Sequence, residues 1–296
     1  MKSILINLLF ALLKSYKERQ MEIEISKGKK KKALKIGAYG QGGSGKSYFA
    51  RNALIADFEG GLSEIDCESV NLVGRSTSDL LDFFKYVYAN HKDIKQDTIA
   101  IDSIDYVEKR VHAEICEDRQ VESGSINDKD LGYGVGHQMS MSRFVKLLKP
   151  LDHLRDLGFN ILIISHAKVV EIKDPNVDQY YDRWDLALER NMRSYIREWL
   201  DILGYVSLET FTKKQESTGF GATKFKPTTT GRRLLNIGNN PSYESKTRVA
   251  LPDKLDLEWG VLMSAIEDSR AGSGNDAKQE TKKQVKKESK DGNIRL

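Results

Sequence analysis

Apolar and polar positions along this chain switch repeatedly between a period of two and a period near 3.6, and the switches mark out alternating strands and helices. Leu34–Tyr39 alternates as a strand and runs into a glycine-rich turn, after which Ser47–Ala53 can start a helix at once. Ala53–Leu62 reads as an apolar strand that ends in an acidic pair and two glycines, and Ser69–Gly74 as another short strand. Asp79–Ala89 has helical spacing, with Leu80, Leu81, Phe84 and Val87 on one face. Asp97–Ser103 and Asn160–His166 are apolar runs with polar tips, the pattern of strands buried on both faces. Between them lie a helix over 105–118, a polar glycine-bearing loop over Glu122–Gly136, and a second helix over Gln138–Leu157 that is expected to break or bend near Pro150. Ile202–Leu208 is a strand, and Thr223–Pro227 with Arg232–Ile237 are expected to form a hairpin joined around Thr228–Gly231. The alternation predicts an α/β fold, with a central, mostly parallel sheet flanked by helices and a β-hairpin towards the C-terminus.

The two ends of the chain read differently from its body. Ile4–Leu13 is apolar but too short to span a bilayer, so residues 1–20 are expected to be an accessory helix, or translation begins at Met21. Met21–Ile25 alternates like an edge strand, and a lysine-rich turn over 27–32 leads on to Leu34. From Arg270 onward there are almost no apolar residues, and eight Lys or Arg stand against four Asp or Glu. Residues 270–296 therefore read as a disordered basic tail, leaving 21–269 as one domain. That tail holds the whole net charge of +4, so the body is neutral and lacks a general nucleic-acid footprint; a contact with DNA has to come from local patches. Two cysteines, Cys67 and Cys116, have neither metal-ligand spacing nor the density of a disulfide framework, and a reducing cytoplasm is the expected compartment, with no membrane partner.

The chemistry concentrates in Gly40–Tyr48, which fits Gly-x-x-x-x-Gly-Lys-Ser between a strand and a helix. Such a turn points successive backbone N–H groups inward at the positive end of a helix dipole, and phosphate oxygens are the natural guests. Gly40, Gln41, Gly42, Gly43, Ser44, Gly45, Lys46, Ser47 and Tyr48 are thus the candidate nucleotide contacts; Lys46 is placed to reach the β- and γ-phosphates and the Ser47 hydroxyl to ligate Mg²⁺. Asp102, at the tip of its strand, is the second candidate for holding the metal. Glu59 follows a strand to the same sheet edge, where a carboxylate can orient and deprotonate a water, or else lie in a solvated acidic turn. His166 arrives at that edge from a third strand and can sense a γ-phosphate. The guanine-reading Asn-Lys-x-Asp pattern is missing, so ATP is the expected nucleotide. Further on, Tyr180, Tyr181, Arg183, Trp184, Arg190 and Arg193 interleave aromatics with arginines, a composition that suits single-stranded DNA, although Trp184, Leu186 and Leu188 equally suit packing on the sheet.

Taken in order, Gly40–Ser47, Asp57-Phe58-Glu59, Ile101-Asp102-Ser103 and Ile164-Ser165-His166 resemble the motifs of the RecA-like P-loop ATPases. The likeness covers about Leu34 to Asp268 and is strongest to ATP-binding proteins of bacteriophages that include single-strand annealing recombinases, which this chain also resembles in Trp199-Leu200-Asp201 and Lys246–Pro252. The resemblance implies that Glu59 is the catalytic glutamate, that Asp102 and Ser103 end the Mg²⁺ strand, and that Ser165-His166 couples the γ-phosphate to a following DNA-binding loop. It implies ATP hydrolysis in DNA recombination or replication, in the host cytoplasm for a phage protein, with ATP at subunit interfaces of a homo-oligomer. A basic finger from a neighbour would then be drawn from Lys224, Lys226, Arg232, Arg233 and Arg248. Only ten residues separate Lys46 from Asp57, so the first helix is shorter than in bacterial RecA. Two other classes stay open: a nucleotide-gated assembly module without a DNA role, and a packaging-type motor or small-molecule kinase.

Overall fold

A computed structural model describes residues 31–176, 178–215 and 224–272; the expectations for residues 1–30 and 273–296 lie outside the described residues. The described residues from Lys32 on form one compact unit. Its strands are β1 (Lys35–Gly40), β2 (Leu54–Asp57), β3 (Glu68–Asn71), β4 (Thr98–Asp102), β5 (Asn160–Ile172), β6 (Tyr181–Leu186), β7 (Ile202–Gln215), β8 (Lys224–Asn236), β9 (Lys246–Thr247) and β10 (Lys254–Asp256). The helices are α1 (Lys46–Phe49), α2 (Thr77–Ala89), α3 (Ile104–Arg119), α4 (Val135–Asp156), α5 (Arg190–Trp199) and α6 over 259–272. The sheet order is β10-β8-β7-β1-β5-β4-β2-β3, with β6 paired to the outer part of β5 and β9 to β7. The six strands from β7 to β3 run parallel, and β8 and β10 are antiparallel additions at one edge. The loop strand β1 is separated from β4, the strand of Asp102, by β5, whose buried part ends at Ser165, just before His166. This is the RecA-like P-loop arrangement.

Strand alternation explains the two cores. Ile99, Ile101, Ile161 and Ile163 point to one face, where α2, α3, α4 and α5 cover them with Phe84, Val111, Phe144, Leu148 and Ile196. Ala100, Leu162 and Ile164 point to the other face, under Phe49 of α1 and Trp259, Leu262 and Ile266 of α6. On α2 the buried set is Leu80, Phe83, Phe84 and Val87, so Phe83 takes the place expected for Leu81, which is half-buried. A capping box closes the start of α2, the Ser76 hydroxyl accepting from Asp79 N–H and the Asp79 carboxylate accepting from Ser76 N–H.

Three expectations are corrected. Helix α4 is not broken at Pro150 but continues to Asp156. The chain from Arg270 to 272 belongs to helix α6 and not to a tail, because Ile266 and the residues before it dock the helix on the sheet. The hairpin joined at Thr228–Gly231 does not exist: Lys224–Asn236 is one strand that pairs with β7, and the C-terminal hairpin is β7–β8. Three consecutive β-branched threonines favour continued strand, and Gly231 takes a positive φ of 82° where pairing jumps from Leu208/Arg233 to Thr210/Thr229. The glycine marks a bulge within a strand, not its turn. No helix among the described residues is long and apolar enough to cross a membrane.

Candidate functional site

The loop between β1 and α1 is shaped by glycines at two points where a side chain cannot stand. Gly45 has φ +96°, and a Cβ on Gly40 would lie 2.6 Å from the Val206 carbonyl oxygen of β7. Lys46 is 6% exposed, and its Nζ donates to the carbonyls of Gly40 (3.0 Å) and Gln41 (2.9 Å), folding the ammonium back over its own loop. Burial lowers its pKa, while Asp102, Glu59 and Asp105 oppose that shift. Gln41, Gly42 and Gly43 are open to solvent, and Tyr48 is half exposed beneath the Arg51 guanidinium.

Asp102 ends β4 and is 2% exposed. Burial pushes its pKa up to about 6; the Ser47 hydroxyl beside it pulls the other way, and the charges of Glu59 and Asp57 add to the rise. Its Oδ1 is buried without a hydrogen-bond partner. A desolvated carboxylate with one orphaned oxygen next to a serine hydroxyl is chemically short of a hard cation, and so this pair fits Mg²⁺. Among the described residues there is no group of three or more His, Cys, Asp or Glu able to hold a metal.

Glu59 is positioned by Asp57. The Asp57 carboxylate accepts the N–H groups of Glu59 (3.1 Å) and Gly60 (2.7 Å), while Phe58 N–H donates to the Asp102 carbonyl (2.7 Å). This tight turn lifts Glu59 off the end of β2 towards β5, where its Oε1 lies 3.4 Å from His166 Nε2. The other side of the imidazole is held by Asp105 in the first turn of α3, which accepts from His166 Nδ1 and from its backbone N–H, both at 3.0 Å. The Asp105 bond raises the pKa of His166 against the effect of burial. Burial works against the charged form of Asp105, yet the hydrogen bonds from His166 outweigh it and its pKa lies below the ordinary carboxylate value. The imidazole thus lies between two carboxylates, and both favour its protonated form.

The structure therefore brings Lys46, Ser47, Asp102, Glu59 and His166 to one edge of the sheet, as the sequence predicts. Asp105 is the member that sequence reasoning missed. Its signal is its place in the Asp102-Ser103-Ile104-Asp105 run, one turn past the strand tip at the start of a helix.

The six aromatic and arginine residues after the sensor strand divide. Arg183 is ion-paired with Glu244 at 2.6 Å, and Arg193 and Arg197 each stand 3.7 Å from the buried Asp185. Trp184 stacks on Tyr205 at 6.1 Å and 13°. Tyr180 and Arg190 are exposed and Tyr181 is half-buried, so only these three remain at the surface. Of the basic finger candidates, Arg232 is paired with Asp256 and Arg248 with Asp201, Arg233 lies against Gly45, and the side chains of Lys224 and Lys226 lie outside the described residues.

A family model described as an AAA domain matches residues 32–249. No curated protein matches the chain. Among solved structures, the flagellar accessory protein FlaH from Methanocaldococcus jannaschii aligns at 12% identity over 76% of this chain and 89% of that one, with a TM-score of 0.30.

Proposed function

The chain belongs to the AAA domain family of P-loop ATPases, and we propose that it binds ATP with Mg²⁺ at Gly40–Tyr48, hydrolyses it through Glu59, and uses the nucleotide state to control a single-stranded DNA partner. The observation that carries the ATPase reading is the convergence of three groups: the retracted Lys46, the orphaned Asp102 oxygen, and Glu59 engaged by His166. Loop N–H groups and Lys46 bind the phosphates, the ammonium leaving its two carbonyl acceptors to do so. Ser47 and Asp102 would hold Mg²⁺, which when bound neutralises charge on the phosphate oxygens. Glu59 orients a water and takes its proton as the oxygen attacks the γ-phosphorus; the bond to the bridging oxygen breaks and its electron pair leaves with ADP. His166 lies beside Glu59 and is the group that can exchange a carboxylate for the γ-phosphate.

His166 also sits where β5 leaves the sheet and continues into the β5–β6 ribbon, at whose far end Tyr180 and Tyr181 lie. A change in His166 partners between ATP and ADP states is thus applied at the root of that ribbon. DNA affinity follows only if the two nucleotide states differ in their contacts, since equal binding to both conformations shifts nothing. Recombination or replication of phage DNA by a homo-oligomer is the process proposed. The internal pairing of Arg183 and Arg193 and the stacking of Trp184 favour a second reading, a nucleotide-gated assembly module without DNA.

The test is ATP turnover by the purified chain at one fixed salt concentration, with and without single-stranded DNA. Lys46→Ala is expected to lose nucleotide binding, and Glu59→Gln to bind ATP while losing turnover by at least a hundredfold. Unchanged turnover in both variants overturns the site assignment. Stimulation by single-stranded DNA that disappears in His166→Ala supports the coupling; turnover indifferent to DNA, with ATP-dependent self-association by light scattering, selects the assembly reading.

A further inference from the structure

Arg233 is the strongest unexplained cation near the phosphate loop. It projects from β8 so close to Gly45 that a Cβ on that glycine would meet Arg233 Cδ at 2.6 Å and Nε at 2.9 Å. Its placement is enforced from both sides along the strand. Leu235, two residues on and therefore on the same face, is fully buried in the core that contains Phe49 and Ala50 of the loop helix. The Arg233 carbonyl accepts from Leu257 N–H at 2.9 Å, which fastens the backbone to the segment leading into α6.

The adjacent arginine makes the contrast. Arg232, on the opposite face, is paired with Asp256 at 2.7 Å and Glu209 at 3.6 Å. Arg233 is exposed and makes no ion pair or side-chain hydrogen bond among the described residues. A guanidinium laid along a phosphate loop, without a carboxylate to neutralise it, has a ready-made use, because its planar fork matches a phosphate group in two parallel hydrogen bonds.

We propose that Arg233 binds the phosphates of the nucleotide held by the same chain, as a cis-acting phosphate clamp supplied by the C-terminal hairpin. This rests on the ATP-binding reading above and narrows it, since Arg233 is removed from the basic residues free to serve a neighbouring subunit. It also explains why an antiparallel hairpin is added beside β1: β7 brings Val206 against Gly40, and β8 brings Arg233 against Gly45. The hairpin closes the loop from the side opposite Asp102 and Glu59.

The experiment is calorimetric titration of the purified full chain with Mg·ATP, for wild type, Arg233→Ala and Arg233→Lys, with turnover of equimolar mixtures of Arg233→Ala and Lys46→Ala. Arg233→Ala is expected to weaken ATP binding roughly tenfold or more, and Arg233→Lys to recover part of it, since a point charge lacks the fork. Mixing is expected to give no more turnover than the two variants assayed apart. Turnover restored on mixing overturns the proposal, because it shows Arg233 working from the neighbour. Wild type that binds ATP while Arg233→Ala binds as tightly also overturns it and leaves the ATPase reading standing. Wild type that fails to bind ATP overturns both.

Discussion

Asp102 shows how one residue can serve the site at the expense of the fold. Its carboxyl has an ordinary pKa of 3.8 and one pushed up to about 6 by burial in the folded protein. The folded chain therefore holds that proton more tightly than the unfolded chain, so the associated stability is fully present below about pH 4 and lost as pH rises through about 6. At pH 7.5 the ionised, half-satisfied carboxylate destabilises the nucleotide-free protein by about 2–3 kcal/mol. Asp102→Asn is expected to raise the melting temperature at pH 7.5, to do so much less at pH 4.5, and to abolish Mg²⁺-dependent turnover. Thermal unfolding of both proteins at the two pH values, without nucleotide, measures this. A variant that melts lower than wild type at pH 7.5 would mean that the carboxylate is not starved of partners. Asp105 has the opposite character: its hydrogen bonds to His166 favour its charge, so that the stability it adds is kept above the ordinary carboxylate range and lost on acidification.

At the scale of elements, the helices differ in where their ends are secured. Helix α2 carries a full capping box, and its N-terminus is further fixed by Glu114 of α3, which accepts from Thr77 N–H and hydroxyl. Ser76→Ala is expected to cost about 1 kcal/mol in urea unfolding, with ATP affinity unchanged, because the Ser76 side chain bonds to Ser78 and Asp79 of its own helix start. Helix α1 is four residues long and has no side-chain cap at Gly45. Such a short helix cannot be stable by itself; it is held by Phe49 and Ala50 in the core beneath α6, where the Phe49 ring meets Trp259 edge-on at 5.4 Å. The loop between β1 and α1 thus depends on the last helix of the described chain.

Across the whole molecule, Asp201 is the tie between distant segments. It is 5% exposed and accepts the backbone N–H of Lys35 at the start of β1, and the guanidinium groups of Arg155 from α4 and Arg248 after β9, each at 3.0 Å. The motif Trp199-Leu200-Asp201 is accordingly structural, a three-way anchor at the sheet edge opposite the phosphate loop. Asp201→Ala leaves the buried Lys35 N–H without its acceptor and takes one acceptor from each guanidinium, which keep the carbonyls of Ala33 and Glu198, and is expected to destabilise the protein by about 1–3 kcal/mol in denaturant unfolding. Its ATP affinity, measured under conditions where the variant is folded, is expected to stay within a factor of about two, since additive effects hold for distant sites. A large loss of affinity in folded protein would place Asp201 in the nucleotide site instead.

The local pattern determined β1 to β4, the start of β5, the helices between them and β7, together with the glycine-rich loop and the delivery of Asp102, Glu59 and His166 to one sheet edge; β6 and α5 lie in a stretch that reads only as interleaved aromatics and arginines. Buried parallel strands are continuous apolar runs whose carboxyl ends carry the polar groups, and a glycine-rich loop must be contiguous to wrap a phosphate. Tertiary structure alone decided what depends on partners far away in sequence. Thr228–Gly231 reads as a turn by composition, but pairing with β7 turns it into strand with a bulge. Arg183 and Arg193 read as free cations until Glu244 and Asp185 are brought beside them. Asp105 reaches His166 only because α3 starts next to the tip of β5, and Arg233 reaches Gly45 only because a strand nearly two hundred residues after the loop folds back on it. Periodicity records which face of an element is buried; it does not record which charge another element will place against the exposed one.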